Sequence, residues 1–105
     1  MYLQKVLTVP SSSVQLDCNL KTISSAGGKG VRLRRKEYDL LMYLIENKGR
    51  IVTRSQLLNN VWGLNDLVKT NTVDVYIGSL RKKLRMLTMK CPIETIHCFG
   101  YMLID

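Results

Sequence analysis

Residues 70–85 read TNTVDVYIGSLRKKLR, and this stretch decides the fold. Apolar side chains recur through it and just beyond it at steps of four and three residues: Val73, Ile77, Leu80, Leu84 and Leu87. At 3.6 residues per turn they form one stripe of a helix, and such a stripe faces a core. The opposite arc is mostly polar or cationic and carries Thr72, Val75, Ser79, Lys82 and Met86. The spacing therefore predicts a helix over about 71–87 that packs with one face and is free to bind with the other.

The charge of the chain indicates a polyanionic partner. Sixteen Lys and Arg residues against eight Asp and Glu give a net charge of +8 over 105 residues. The cations are concentrated, because residues 29–36 hold five of them and no acid, and residues 69–90 hold six with one acid. Clustering of this kind favours a nucleic-acid surface, the alternative being a charged surface that only keeps the protein in solution. The length, with 46% hydrophobic residues, suits one domain over residues 1–105.

Other function classes find little support in the residues. The single histidine, His97, has no serine or carboxylate partner at a catalytic spacing, so we expect no enzyme. With Cys91 and Cys98 it supplies fewer than four zinc ligands, and the glycines of residues 27–30 lack the spacing of a phosphate-binding loop, so we expect no metal and no cofactor. Three widely spaced cysteines favour a reducing cytoplasm over a disulfide framework. With no leader and no apolar run of about eighteen residues, we expect no membrane association.

Turn residues divide the ends of the chain into short strands. Four antiparallel strands are predicted from β-branched and apolar pieces at residues 6–9, 14–16, 21–25 and 31–33. A further short extended piece covers residues 50–52. Near the C-terminus, Pro92 rules out continuation of the preceding helix, and alternating residues then predict a hairpin over about 93–104.

Two more helices precede the one at 71–87. Residues 38–45 repeat at helical spacing and predict the first of them. Thr53 and Gln56 stand three residues apart and can form a capping box, which places the start of the second helix at Thr53. Asn71 or Thr72 can cap the third helix. The order is therefore strands, three helices and a hairpin.

Four blocks of residues, in this order, resemble a known family. The blocks are Leu33 to Glu37 with Leu40 and Leu41, Val52 to Leu58 with Val61 to Gly63, Val73 to Ile77 with Leu80 to Leu84, and Gly100 with Tyr101. Over about residues 16–103 the chain resembles the OmpR/PhoB-type winged-helix effector domain of bacterial two-component response regulators. The resemblance implies an α+β fold, a winged helix-turn-helix with an N-terminal four-stranded antiparallel sheet, a three-helix bundle and a C-terminal β-hairpin wing.

The resemblance also implies sequence-specific binding of double-stranded DNA for transcription regulation. The recognition helix, about 71–87, is expected in the major groove and the wing, about 93–104, at the adjacent minor groove. Positions that match the base-reading residues of the family are Asn71, Thr72, Val75 and Ser79. Expected phosphate contacts are Arg54, Lys69, Tyr76, Lys82 and Lys83, and expected wing contacts are His97 and Phe99. Trp62 and Tyr101 are expected in the core, and Tyr76 either contacts phosphate or packs on the wing.

Several positions depart from the family pattern, among them Gly78, where a longer residue is common. Ser79 stands where arginine is common, and His97 stands where the wing of the family carries an arginine. At the start of the first helix, Arg34 stands where the family has a threonine that caps the helix. The capping of that helix is therefore left unexplained. Weaker readout by Ser79 and His97 leaves an alternative open, in which the chain is a winged-helix module that binds protein and has lost strong DNA readout.

The resemblance also implies partners of the chain: a second copy, RNA polymerase and a receiver domain. Family members bind promoter DNA as homodimers on direct-repeat half-sites. The loop between the second and third helices, residues 63–69, is the segment with which they contact RNA polymerase, and here it includes Leu64, Asn65, Asp66 and Leu67. A receiver domain is expected before this chain, and the location is expected to be the cytoplasm.

Overall fold

The computed structural model describes residues 5–25, 28, 30–63 and 71–105. Its elements along the chain are β1 (Val6–Thr8), β2 (Gln15–Asp17), β3 (Thr22–Ser24), β4 (Gly30–Arg32), α1 (Arg35–Glu46), β5 (Val52–Thr53), α2 (Arg54–Leu57), α3 (Thr72–Arg85), β6 (Ile93–Ile96) and β7 (Gly100–Leu103). A π-helical segment, Leu58–Trp62, continues α2 directly. The predicted winged-helix architecture is confirmed.

The first four strands form an antiparallel sheet in the order β1-β2-β3-β4. Leu16 of β2 stands opposite Ile23 of β3, and both side chains are fully buried. Their neighbours Gln15, Asp17 and Thr22 point to the other face, as the two-residue period of a strand requires. The four strands predicted from the β-branched pieces are therefore present: β1 and β3 are shorter than predicted by one and two residues, and β2 and β4 have the predicted length but are shifted by one residue.

Helix α1 begins after Arg34 and buries Leu40, Leu41 and Leu44 against the core. The start of α1 is closed by Glu37, whose carboxylate accepts a hydrogen bond of 2.6 Å from the backbone N–H of Arg34. A glutamate three residues into a helix is half of a capping box, and this half needs only the backbone of the cap residue. The helix end that the sequence left without an explanation is thus satisfied while Arg34 keeps its side chain free for other contacts.

Helix α2 begins where the capping box predicts. The Thr53 hydroxyl accepts from the N–H of Gln56 at 3.1 Å, and the Gln56 side chain accepts from the N–H of Thr53 at 2.8 Å. The π-helical segment buries Val61 and Trp62 and ends at Gly63, where the backbone turns to a φ of 93°. Glycine adopts that angle without the strain that a side chain would add.

Helix α3 has the predicted buried stripe but not the predicted cap. Its buried residues are Val73, Ile77, Leu80 and Leu84. Asn71 stands before its first residue, Thr72, yet its backbone is helical and its side chain makes no capping hydrogen bond with the described part of the chain. The capping prediction is wrong for Asn71 because a side-chain cap requires an extended backbone at that position. The helix also ends at Arg85, two residues before the predicted end.

The wing, the hairpin of β6 and β7, is part of a three-stranded sheet in the order β5-β7-β6. The hairpin of β6 and β7 is the one predicted after Pro92, and its register pairs Thr95 with Tyr101. Strand β5 adds Val52 and Thr53, which pair with Tyr101 and Gly100. The extended piece before α2 therefore ties the start of that helix to the wing.

Candidate nucleic-acid interface

One side of α3 forms an exposed stripe opposite its buried residues. The stripe consists of Val75, Gly78, Lys82, Arg85 and Met86. Val75 is 59% exposed and Met86 is 67% exposed, although both are apolar. No atom lies within 4 Å of the position that a Cβ of Gly78 would take, so the middle of the stripe is open. An uncovered helix face of this kind, bearing cations, is what a helix that enters a DNA groove presents.

The four predicted base-contact residues do not share one environment. Asn71 and Val75 are exposed, and Thr72 is half-buried on the same side of the first turn. Ser79 is half-buried and faces α1: its hydroxyl donates to Oε2 of Glu37 and accepts from Nη2 of Arg34 at 3.1 Å. The structure therefore groups the first three residues and holds the Ser79 hydroxyl in an intramolecular network.

Glu37 is the centre of that network and is fully buried. Its Oε1 lies 2.6 Å from Nζ of Lys83, and its Oε2 lies 3.5 Å from Nη2 of Arg34. Burial raises the pKa of Glu37, but the hydrogen bonds from Lys83, Ser79 and the backbone of Arg34 outweigh it and lower the pKa from 4.5 to about 2. The carboxylate is therefore ionised at neutral pH and holds α1 and α3 together.

The five predicted phosphate-contact residues also differ in what they touch. Lys82 is exposed and makes no hydrogen bond or ion pair within the described ranges. Lys83 donates to Glu37 and, at 3.1 Å, to the backbone oxygen of Arg32. The Tyr76 ring packs edge to face on Trp62, with ring centres 5.3 Å apart. Arg54 forms an ion pair with Asp74. Lys69 lies outside the described residues.

Asp74 is the centre of the second cluster, which joins α2, α3 and β7. Nε of Arg54 lies 2.9 Å from Oδ1 of Asp74, and the hydroxyl of Tyr101 donates to the same oxygen. Burial raises the pKa of Asp74, but the hydrogen bonds from Tyr101 and Arg54 bring it below its usual value. Burial and the Asp74 carboxylate raise the pKa of the Tyr101 hydroxyl. The Tyr101 ring is buried, in agreement with its expected place in the core.

The wing is fastened to α3 by Arg81. Its guanidinium donates to the backbone oxygen of Ile93 at 3.0 Å and to the hydroxyl of Thr95 at 2.8 Å. It also lies 5.4 Å from the ring centre of Tyr101. The orientation of the wing relative to α3 is thereby set by side chains of both elements.

The tip of the wing is exposed. It comprises His97, Cys98 and Phe99, and Phe99 is 63% exposed. The turn is closed by a hydrogen bond of 2.9 Å from the N–H of Phe99 to the oxygen of Ile96. The two predicted wing residues, His97 and Phe99, are therefore together in the exposed turn between β6 and β7.

The residues that the sequence reasoning missed are Arg34 and Glu37. A signal was present for Glu37, because a glutamate three residues after the cap residue of a helix is one half of a capping box. No cluster of three or more His, Cys, Asp or Glu side chains suited to a metal ion occurs within the described parts of the chain. Over the same residues, no helix is both long and apolar enough to cross a membrane.

Comparison with known proteins identifies the family. The model for "Transcriptional regulatory protein, C terminal" matches residues 28–103. The chain belongs to this family. Family membership, together with the exposed stripe of α3, makes the chain a sequence-specific DNA-binding domain of transcription regulation. The family is a class of DNA-binding effector domains and not a class of enzymes.

Individual relatives agree with this assignment. The chain is 41% identical over 92 residues to the response regulator ArlR of Staphylococcus aureus, an alignment that covers 88% of this chain and 42% of ArlR. The DNA-binding domain of Klebsiella pneumoniae RstA, in complex with the RstA box, is 30% identical with a TM-score of 0.76, covering 95% of this chain and 97% of that one. The DNA-binding domain of E. coli CadC is 24% identical, with a TM-score of 0.84, and covers 99% and 94%. The CadC likeness concerns the fold alone. The chain thus spans less than half the length of ArlR.

Proposed function

We propose that the chain binds double-stranded promoter DNA with α3 in the major groove and its exposed stripe toward the base edges. The observation that carries the proposal is the division of this one helix, whose apolar residues are buried while Val75, Gly78 and Lys82 are exposed on the opposite side. The major groove of B-DNA is about 12 Å wide and admits one α-helix. A helix held on one side by the core and open on the other fits that groove without rearrangement.

Base contacts are assigned to the start and middle of α3, because recognition helices meet bases mainly with their N-terminal residues. Asn71, Thr72 and Val75 lie on this part of α3. The Val75 methyl groups suit an apolar contact with the C5-methyl of thymine. Ser79 is included as a weaker contact, since its hydroxyl is already bonded to Glu37.

Phosphate contacts are assigned chiefly to Lys82. Its ammonium meets a phosphate without breaking an ion pair, whereas Lys83 and Arg54 are each paired with a carboxylate. Lys83, Arg54, Tyr76 and Lys69 are therefore proposed as secondary contacts. The exposed tip of the wing, with His97 and Phe99, is proposed to lie at the adjacent minor groove.

Partners beyond the DNA are part of the same proposal. We take residues 1–105 as one effector domain that pairs with a second copy on direct-repeat half-sites. Residues 63–69 are proposed to contact RNA polymerase; of these, Leu64, Asn65, Asp66 and Leu67 lie outside the described residues. The likeness to ArlR, of which this chain spans 42%, supports a preceding receiver domain and a cytoplasmic location.

The test is binding to duplex DNA as a function of salt. If the domain neutralises six to ten phosphates, its affinity falls by about 10³ to 10⁵ between about 50 and 200 mM salt, because each contact releases a condensed counterion. The other candidate function, a module that binds protein, predicts little duplex binding at any of these salt concentrations. The RstA domain, 30% identical to this chain, is seen in complex with DNA, which favours the first candidate. Absence of a shifted duplex at about 50 mM salt would refute the proposal.

A further inference from the structure

Arg34 stands before α1, yet its side chain extends to α3. Its Nη2 donates to the hydroxyl of Ser79 at 3.1 Å, and its guanidinium carbon lies 4.7 Å from the centre of the Tyr76 ring. Ser79 and Tyr76 are three residues apart on α3 and therefore neighbours on its surface. The side chain of Arg34 is nevertheless 57% exposed. A cation from outside α3 is thus held beside two residues of the proposed interface.

The charges around Arg34 leave its positive charge uncompensated. Glu37 carries one negative charge, and Lys83 compensates it directly at 2.6 Å. Arg34 lies farther from that carboxylate, at 3.5 Å, and is more exposed than Lys83. The three groups together carry one net positive charge, and it resides on the group that faces solvent.

The guanidinium of Arg34 is also held in place. A ring face, a hydroxyl and a carboxylate restrain it, so little side-chain entropy is lost when a ligand binds. A planar guanidinium has five N–H donors, of which only one is used by Ser79. The remaining donors suit the oxygens of a phosphate.

We infer that Arg34 is a DNA-contact residue that binds a backbone phosphate beside the recognition helix. The inference rests on the proposed DNA binding and adds to it a contact from the residue that precedes α1. Arg34 is assigned to phosphate and not to a base because of where its guanidinium lies relative to α3. Its guanidinium reaches the flank of α3, at Ser79 and Tyr76, and not the exposed stripe with Val75 and Gly78.

The test is Arg34→Ala, with duplex binding measured across a salt series. The probe is a pool of random-sequence duplexes of about 24 base pairs, which is long enough for two half-sites one helical turn apart. We expect the affinity to fall roughly tenfold and the slope of log affinity against log salt to become shallower by about 0.9, the value for one phosphate contact. The base preference selected from the pool should stay the same, because phosphate carries no base identity.

Arg35→Ala is the matched control. Arg35 follows Arg34 directly but lines a groove with Lys21 and Asp39, and its side chain makes no hydrogen bond to any described residue of α3. The control removes the same charge away from α3, so the salt slope should change less. Arg34→Ala retains the backbone N–H that Glu37 caps, and Arg34→Gln, which keeps an amide donor without the charge, carries the same prediction if the alanine variant does not fold.

Each outcome decides between the proposals. An Arg34→Ala domain that binds like the original overturns the inference while DNA binding stands. A change in base preference with an unaltered salt slope also overturns it, because Arg34 would then be reading a base. If the unsubstituted domain does not bind the duplex pool, the proposed function itself fails, and the inference fails with it.

Discussion

The ammonium of Lys83 lies 2.6 Å from the carboxylate of Glu37, so an ion pair joins α3 to α1 with a carboxylate that solvent does not reach. A buried ionised carboxylate is costly unless its hydrogen bonds are satisfied. Here the ammonium of Lys83, the hydroxyl of Ser79 and the N–H of Arg34 satisfy them. The angle at which the core presents α3 therefore depends on polar contacts as well as on its apolar stripe.

Glu37→Gln should destabilise the domain by roughly 3 kcal/mol at pH 7. The pKa of Glu37 falls from 4.5 to about 2 on folding, and each unit corresponds to about 1.4 kcal/mol. Urea unfolding of both proteins measures the difference. Asp39→Asn, on the same helix and without an ion pair to any described residue, is the control and should change stability by less than about 0.5 kcal/mol.

The same glutamate predicts how stability depends on pH. Because folding lowers its pKa, its contribution is complete above pH 4.5 and is lost as pH falls toward about 2. The difference in unfolding free energy between the original protein and Glu37→Gln should therefore shrink over that interval. A difference that is as large near pH 2 as at pH 7 would mean that the ionised carboxylate is not the source of the stability.

Lys82 and Lys83 should separate binding from stability. Lys82→Ala should weaken binding to all duplexes alike and flatten the salt slope by about 0.9, with unfolding free energy unchanged within about 0.5 kcal/mol. Lys83→Ala should lower the unfolding free energy by roughly 1.5 to 3 kcal/mol, since it removes a hydrogen bond to a buried charge. Salt titrations of duplex binding measure the affinity of both variants, and urea unfolding measures their stability. If both variants lost the same affinity and neither lost stability, Lys83 would be a phosphate contact equal to Lys82, and its ion pair with Glu37 would not stabilise the fold.

Much of the fold was predictable because its signals are local. The buried stripe of α3 follows from spacing within one helix, and the start of α2 follows from Thr53 and Gln56. An extended piece at residues 50–52 was predicted, but the pairing of β5 with β7 was not, because the partners of its two residues, Tyr101 and Gly100, lie almost fifty positions away. Pairing over such a separation is decided by the packing of the whole domain.

Only part of the candidate site was predictable, because spacing within α3 does not show which of its residues a neighbouring helix contacts. Helical spacing places Ser79 on the exposed arc of α3 and Lys83 at its edge, but it does not say how far a neighbouring helix covers them. Glu37 of α1 covers them and binds both side chains. A glutamate is rarely fully buried unless it is paired, so the residue type of Glu37 alone predicts an exposed side chain.

Val75→Ala should change DNA sequence preference without affecting stability. Val75 is 59% exposed on the proposed groove face, so its methyl groups are available to a thymine methyl. Selection from a random duplex pool should show a changed preference at one base step. Leu80→Ala, on the same helix but fully buried, should instead cost roughly 2 to 5 kcal/mol through the cavity that it opens. A large loss of stability in the Val75 variant would contradict the assignment of that face.

Alanine at two glycines should have opposite effects. A Cβ at Gly100 would collide with the backbone oxygen of Val52 and lie 2.9 Å from the Cα of Thr53. Because both are main-chain atoms, the strands must separate, and we expect Gly100→Ala to destabilise the domain by about 1 to 3 kcal/mol. At Gly78 nothing lies within 4 Å, so alanine should stabilise α3 by about 0.5 to 1 kcal/mol through its higher helix propensity. Thermal unfolding of both variants measures whether each substitution raises or lowers the stability. A Gly100→Ala domain as stable as the original would show that β7 can move away from β5 at no cost.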